Sequence, residues 1–315
     1  EFSDSYKSYT SSLFSKSATN VPPEVLVNQW KLYLIFACST LTATNDQKIS
    51  FPNQPTHGRK KSLQMFIQHQ KITSAKSVFK MVLPLLKLSQ PMVKESVIVG
   101  LSHININILK SFLENIPLAV EEWNTNIKTR NPQDDAFRIE VVHILTNLTE
   151  KFGLHELIYT DDSIVANLVA IVKNVKNFLS EPAIQTNFEC QRLRRYFCGF
   201  LENVYTGLEA KSDLEKWLPF EARVACFNYL KEWCGYGDSS AVTEERYNAI
   251  ISRIKTEKAG PSALAILEIE RKKLQLASLK CMAILCSGQI KKKIEIPGNL
   301  AVVSFDIPGL MNWIQ

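Results

Sequence analysis

The stretch VLPLLKLSQPMVKESVIVGLSHI, residues 82 to 104, constrains the fold more than any other. An apolar run ends at Leu88, Ser89, Gln90 and Pro91 form a turn, and a second apolar run opens at Met92. Val78, Val82, Leu85 and Leu86 recur at helical spacing over residues 74 to 88, and Val93, Val97, Leu101 and Ile104 do so after the turn. Proline lacks a backbone donor and has its torsion preset for a first helical turn, so Pro91 starts a helix and Pro84 bends the one before it. Two helices joined by so short a turn are expected to pack antiparallel to each other. Such a pair cannot bury its apolar faces alone, so neighbouring helices must stack on it.

The Leu-Pro of the first helix, the short polar turn and the Val-Lys opening of a small-residue stripe resemble the HEAT repeat. Helical stripes follow along the chain. Phe137, Val141, Leu145, Leu148 and Phe152 lead up to Gly153; Ile164, Leu168, Val172, Val175 and Leu179 run from the caps at 161 to 163 up to Pro182. Tyr196, Phe200, Val204 and Leu208 mark another helix, one more opens at Pro219 and ends at Gly235, and residues 262 to 288 read as one long helix. Helix starts near 74, 133, 182 and 219 recur unevenly, at roughly the 40 to 47 residues of such repeats. Only KKIEI (292–296) and LAVVSF (300–305) have strand composition. The expected fold class is all-α: an irregular α-solenoid of HEAT/armadillo-like helical pairs, with at most a short hairpin near the C-terminus. An irregular helical domain without a repeat is the alternative.

Residues 1 to 20, rich in Ser and Thr, read as a flexible tether, and 21 to 315 as a single helical-repeat segment with long loops near 45–71 and 235–261. The opening Glu1 and the apolar closing run GLMNWIQ read as those of a piece of a larger protein. The most apolar run, Leu32 to Ala43, is short of the roughly 20 residues a spanning helix needs. Seven cysteines, an odd number without a two-residue spacing, point to reduced thiols and a cytoplasmic protein rather than to disulfides or a zinc site.

No pattern for catalysis is found. The 11 glycines are scattered and mostly end helices, leaving no phosphate loop. His57, His69, His103, His143 and His155 lie too far apart for a ligand set, and His143 reads as a satisfied helix residue. No nucleophile motif occurs. The chain is therefore expected to be a non-enzyme that needs no cofactor and no metal.

The basic residues offer more. Against a net charge of +6, three clusters stand out: Arg59-Lys60-Lys61, Arg192 with Arg194 and Arg195, and Lys291-Lys292-Lys293. They read either as a patch for an acidic partner or as solvated helix ends. Arginine binds carboxylates and phosphates through a bidentate fork, so Arg192, Arg194 and Arg195 are the first candidates and Arg59, Lys60 and Lys61 the second. Nucleic-acid binders interleave stacking aromatics with such patches, but Tyr196, Phe197 and Phe200 follow the core stripe, which disfavours that partner. An anionic-lipid binder and a peptide-binding, transport-receptor-like solenoid are further alternatives.

Three segments resemble the Furry-type cell-morphogenesis proteins: LVNQWKLYLIFACSTLTAT (26–44), VKESVIVGLSHININILKSFLE (93–114) and PFEARVACFNYLKEWCGYG (219–237), with FDIPGLMNWI (305–314) as a weaker fourth. Physically these segments read as structural. Trp30, Tyr33 and Phe36 are expected in the core, and Trp233 closes an apolar face before a left-handed turn at Gly235. Tyr236, in the loop that follows, is a candidate contact for a partner. The resemblance implies a scaffold for an NDR-family kinase and its Mob co-activator in polarised growth, acting at growth sites by tethering, or a segment that contacts other parts of the same large chain.

Overall fold

A computed structural model describes residues 22–42, 74–116, 131–153, 156–235, 239–257, 260–296 and 299–314. The tether at 1–20, the loop at 45–71 with Arg59, Lys60 and Lys61, and Tyr236 lie outside the described residues.

Helices α1 (Pro23–Thr40), α2 (Ala75–Val82), α3 (Pro91–Leu101), α4 (Ile106–Asn115) and α5 (Pro132–Phe152) form the first half. They are followed by α6 (Glu156–Tyr159), α7 (Asp162–Ser180), α8 (Pro182–Gln185), α9 (Cys190–Ala210), α10 (Leu214–Trp217) and α11 (Phe220–Cys234). Then come α12 (Ser240–Thr256), α13 (Gly260–Leu285), a hairpin of β1 (Lys291–Ile296) and β2 (Asn299–Ser304), and α14 (Ile307–Ile314). The class is all-α with one short antiparallel hairpin, which pairs Lys291 with Ser304 and Ile296 with Asn299.

Local chemistry sets the ends of these helices. Asn131 and Asp161 accept from the backbone N–H groups of Gln133 and Ser163, satisfying first-turn donors that a helix cannot pair internally. Gly153 and Gly235 terminate α5 and α11 with φ of +49° and +73°, a region in which a side chain would be strained. Pro84 cannot supply the donor for another α turn, and the chain tightens into a 3-10 segment, Leu83–Lys87, before Pro91 opens α3.

The Leu83–Lys87 part of the segment read over 74–88 packs on α3, as expected of the pair, but each of the two α-helices packs more extensively on another one. α3 packs chiefly on α1, and α2 chiefly on α4. The α1–α3 contact is close because Gly100 carries no side chain: a Cβ there would lie 2.5 Å from the Leu34 side chain. Together α1, α3, α5, α9 and α13 form a row in which each helix packs on the next, with α4, α7 and α11 lying beside it. One continuous core runs through this array, including Phe79, Phe112, Phe178, Phe200 and Phe227. Fully burying side chains of this size contributes about 1.5–3 kcal/mol each.

The stretch 235–261, read as a loop, contains α12. Its Tyr247, Ile250 and Ile254 fall at helical spacing and form a second, smaller core with Leu267 of α13. Helix α1 also departs from expectation. Val27, Leu34 and Cys38 face inward and Trp30 packs half-buried against the core, but Tyr33 and Phe36 are 73% and 67% exposed. No described helix is long and apolar enough to cross a membrane. None of the seven cysteines is in a disulfide, and all but Cys286 are buried.

Candidate functional site

Helix α9 opens with the run CQRLRRYFCGF, and its three arginines go three ways. A helix turns about 100° per residue, so residues 192 and 195 share a side while 194 points elsewhere. Arg194 faces the core at 1% exposure, with its guanidinium 5.7 Å from the Trp233 ring centre. It donates to the Ile184 carbonyl at 3.4 Å, and its Nε and Nη1 meet no acceptor among the described residues. Burial pushes its pKa below the usual arginine value. Arg195 lies over the Tyr196 ring at 4.5 Å and donates from Nε to Glu270 of α13 at 2.9 Å, tying α9 to its neighbour. Arg192 alone reaches an open cleft. The trio is therefore not one patch, and the other described basic cluster is partly spent too: Lys292 pairs with Glu215 at 3.4 Å and Glu221 at 3.7 Å.

The cleft, of about 860 Å³, lies between α3 and α5 beside Arg192. Lys94, Glu95 and Ile98 line it from α3, His103 from the turn after α3, and Glu140, His143 and Asn147 from α5. Glu140, 4% exposed, forms the floor. It stands 3.4 Å from His143 Nδ1 and accepts from Arg192 Nη2 at 3.5 Å. Burial by itself would raise its pKa, but the His143 hydrogen bond and the charges of Arg192 and Lys94 outweigh that and hold the carboxyl below its usual value. The His143 ring stacks on Tyr196 with centroids 4.1 Å apart and planes 8° from parallel. Arg192 Nη2 also reaches the Tyr196 hydroxyl at 3.4 Å, so α5 and α9 meet the cleft through one connected polar cluster. Asn147 donates to Ser102 Oγ at 3.1 Å and closes the wall toward α3.

This arrangement combines an ionised, buried acid with cationic groups at the rim. That suits recognition of a polar surface by hydrogen bonds and charge. Sequence reasoning singled out Arg192 but not Lys94, Glu140 or the cleft itself. The one signal available was that Lys94, His103, His143 and Arg192 are polar residues set into apolar helical stripes.

Fold and site together define an all-α protein with a charged, open cleft between stacked helices. Compared with known proteins, the chain is 41% identical over 299 residues to the cell morphogenesis protein PAG1 of Saccharomyces cerevisiae, a match covering 94% of this chain. It is 31% identical over 317 residues to the cell polarity protein mor2 of Schizosaccharomyces pombe, covering 92% of this chain. The chain belongs to the Furry-type cell-morphogenesis proteins. It spans only 12% and 14% of the length of these two curated relatives. No family model and no solved structure matches it.

Proposed function

We propose that this chain is a non-enzymatic scaffold segment serving cell morphogenesis and polarised growth, built as an irregular solenoid of HEAT/armadillo-like helical pairs. The observation that carries this reading is the 41% identity, over nearly the whole chain, to a protein named for cell morphogenesis. On this reading the chain presents the cleft between α3 and α5 to a protein partner, an NDR-family kinase with its Mob co-activator, in the cytoplasm at sites of growth. Lys94 and Arg192 supply the charged contacts, and tethering raises the local concentration of the bound components without new chemistry. Arg59, Lys60, Lys61 and Tyr236 are further candidate contacts, whereas Arg194 and Arg195 are engaged within the fold, by Ile184 and Glu270.

The test is binding of the purified chain to a kinase–Mob complex at two salt concentrations, alongside a Lys94→Glu/Arg192→Glu variant. Saturable binding, weaker at the higher salt and lost in a folded variant, is the expected result. Absence of binding at both salts, or undiminished binding by the variant, overturns the assignment of this cleft to that partner.

A further inference from the structure

Helix α1 carries two apolar faces and uses one. Its inner face, Val27, Leu34 and Cys38, is buried on the rest of the protein. The opposite face presents Val25, Leu32, Tyr33 and Phe36, with Leu32 at 64% exposure and the two aromatics more open still. These residues recur at the i, i+7, i+8, i+11 spacing of a single helical stripe that carries no charge; the exposed polar Gln29 separates Val25 from the rest, so the continuous apolar part is Leu32, Tyr33 and Phe36. The stripe runs over about 16 Å, three turns of helix. Contiguous exposed apolar surface of this kind marks an interaction site.

We propose that this face of α1 seats an amphipathic helix of the same polypeptide that lies outside the present 315 residues. Two observations select that occupant over others. Within the row of helices, α3, α5 and α9 each have a row neighbour on both sides, whereas α1 has a row neighbour, α3, on one side only among the described residues. The matched stretch also accounts for only 12% and 14% of its relatives' lengths, so a protein of this kind offers abundant further chain. A helix tethered in the same polypeptide competes at high effective concentration against any free partner. The uncharged stripe calls for a partner face of aliphatic and aromatic residues rather than an acidic peptide. The helix at the other end of the row, α13, differs: its exposed Ile266, Ile269 and Leu276 are interspersed with Glu268, Lys272 and Lys273.

This inference rests on the stacked-helix reading of the fold and not on the kinase partner. It is tested by thiol labelling of Tyr33→Cys and Phe36→Cys, each made in the isolated chain and in the complete gene product, with Lys173→Cys, at an exposed position of α7, as the reference. Labelling in the isolated chain should be as fast as at the reference, and in the complete protein at least about tenfold slower at positions 33 and 36 alone, as for a site reached only by local opening. Equal rates in both proteins overturn the proposal. Protection already present in the isolated chain also overturns it, with sedimentation velocity telling a second copy from coverage by the chain's own residues. Leu32→Asp provides the second readout: the thermal midpoint of the isolated chain should hold, while protease resistance near α1 should fall in the complete protein. Small-angle scattering of the same samples reports stacking separately, so an elongated particle with a freely labelled α1 would sink this seat and leave the solenoid reading standing.

Discussion

The side-chain amide of Asn105 donates to the carbonyl of Leu41 at 2.9 Å, joining positions 64 residues apart. The same amide reaches the Ser39 carbonyl at 3.2 Å, and the Asn105 backbone N–H donates to Cys38 at 3.0 Å. Its Oδ1 meanwhile accepts from the Asn107 N–H at 2.8 Å and caps α4. One residue thus starts α4 and satisfies the carbonyls left over at the end of α1. That is a structural reason for the Gly-Leu-Ser-His-Ile-Asn run in this chain.

Asn105→Ala removes both roles and is expected to cost about 2–3 kcal/mol, the sum of a cap and unmet carbonyls. Asn105→Asp keeps the cap acceptor but not the donor, and should cost about half as much. Urea unfolding of the two variants checks the order. An alanine variant as stable as wild type would show that the junction between α1 and α4 is held by packing alone.

Gly207 on α9 faces the Tyr159 ring so closely that an added Cβ would lie 1.9 Å from Cζ. The Tyr159 hydroxyl donates to the Asn203 carbonyl at 3.2 Å, so the ring cannot withdraw without losing a bond. Alanine is the better helix former by about 0.5–1 kcal/mol, yet Gly207→Ala should destabilise, by about 1–3 kcal/mol, because overpacking wins. In a Tyr159→Leu background the same change should be neutral or favourable. A double-mutant cycle measures this coupling directly.

What the sequence made legible were positions where one residue has one physical job. Pro91, Asp161, Gly153 and Gly235 each announce a helix boundary through a missing donor, a cap or a left-handed turn, and each stands at that boundary. Helix α12 was hidden because Tyr247, Ile250 and Ile254 are its only fully buried apolar residues, set among charged ones between glycine-bearing breaks. The outward turn of Tyr33 and Phe36 was hidden for the opposite reason: α1 is apolar on both sides, so periodicity alone cannot choose the buried one. The cleft was out of reach because it depends on α3, α5 and α9 meeting, a matter of tertiary packing.

Acid sensitivity should concentrate at the start of α7. Hydrogen bonds from the Ser163 hydroxyl and backbone, with the charge of Lys110 at 3.2 Å, hold the Asp161 carboxyl down to about 2. A folded pKa below the unfolded one contributes stability that is present above about pH 4, the ordinary aspartate value, and is lost as pH falls toward the folded pKa. Asp161→Asn keeps an acceptor at the cap, so near neutrality the loss should be small, within about 1 kcal/mol for so exposed a pair. The variant should, however, show a flatter decline than wild type between about pH 4 and 2. Thermal midpoints across that range test it, and parallel curves for the two proteins would refute the assignment.

The three arginines of α9 should separate under mutation, because only their sequence positions are alike. Arg195 serves Glu270, whose other cation, Lys273, stands farther off at 3.6 Å, so Arg195→Ala strands a mostly buried carboxylate and should cost about 1–3 kcal/mol. Arg194 buries a charge with a single long hydrogen bond, and a long apolar side chain can occupy the same space against Trp233. Arg194→Met should therefore be as stable as wild type or more so, by up to about 1–2 kcal/mol, whereas Arg194→Ala leaves a cavity and should destabilise. Arg192→Ala removes one of two partners of Glu140 at a half-open site, and about 1 kcal/mol is expected. Chemical denaturation of the four variants gives the order. If Arg194→Met proved the most damaging, the buried guanidinium would have to make bonds beyond the one to Ile184, and if Arg192→Ala did, the division of α9 into two structural arginines and one facing the cleft would fail.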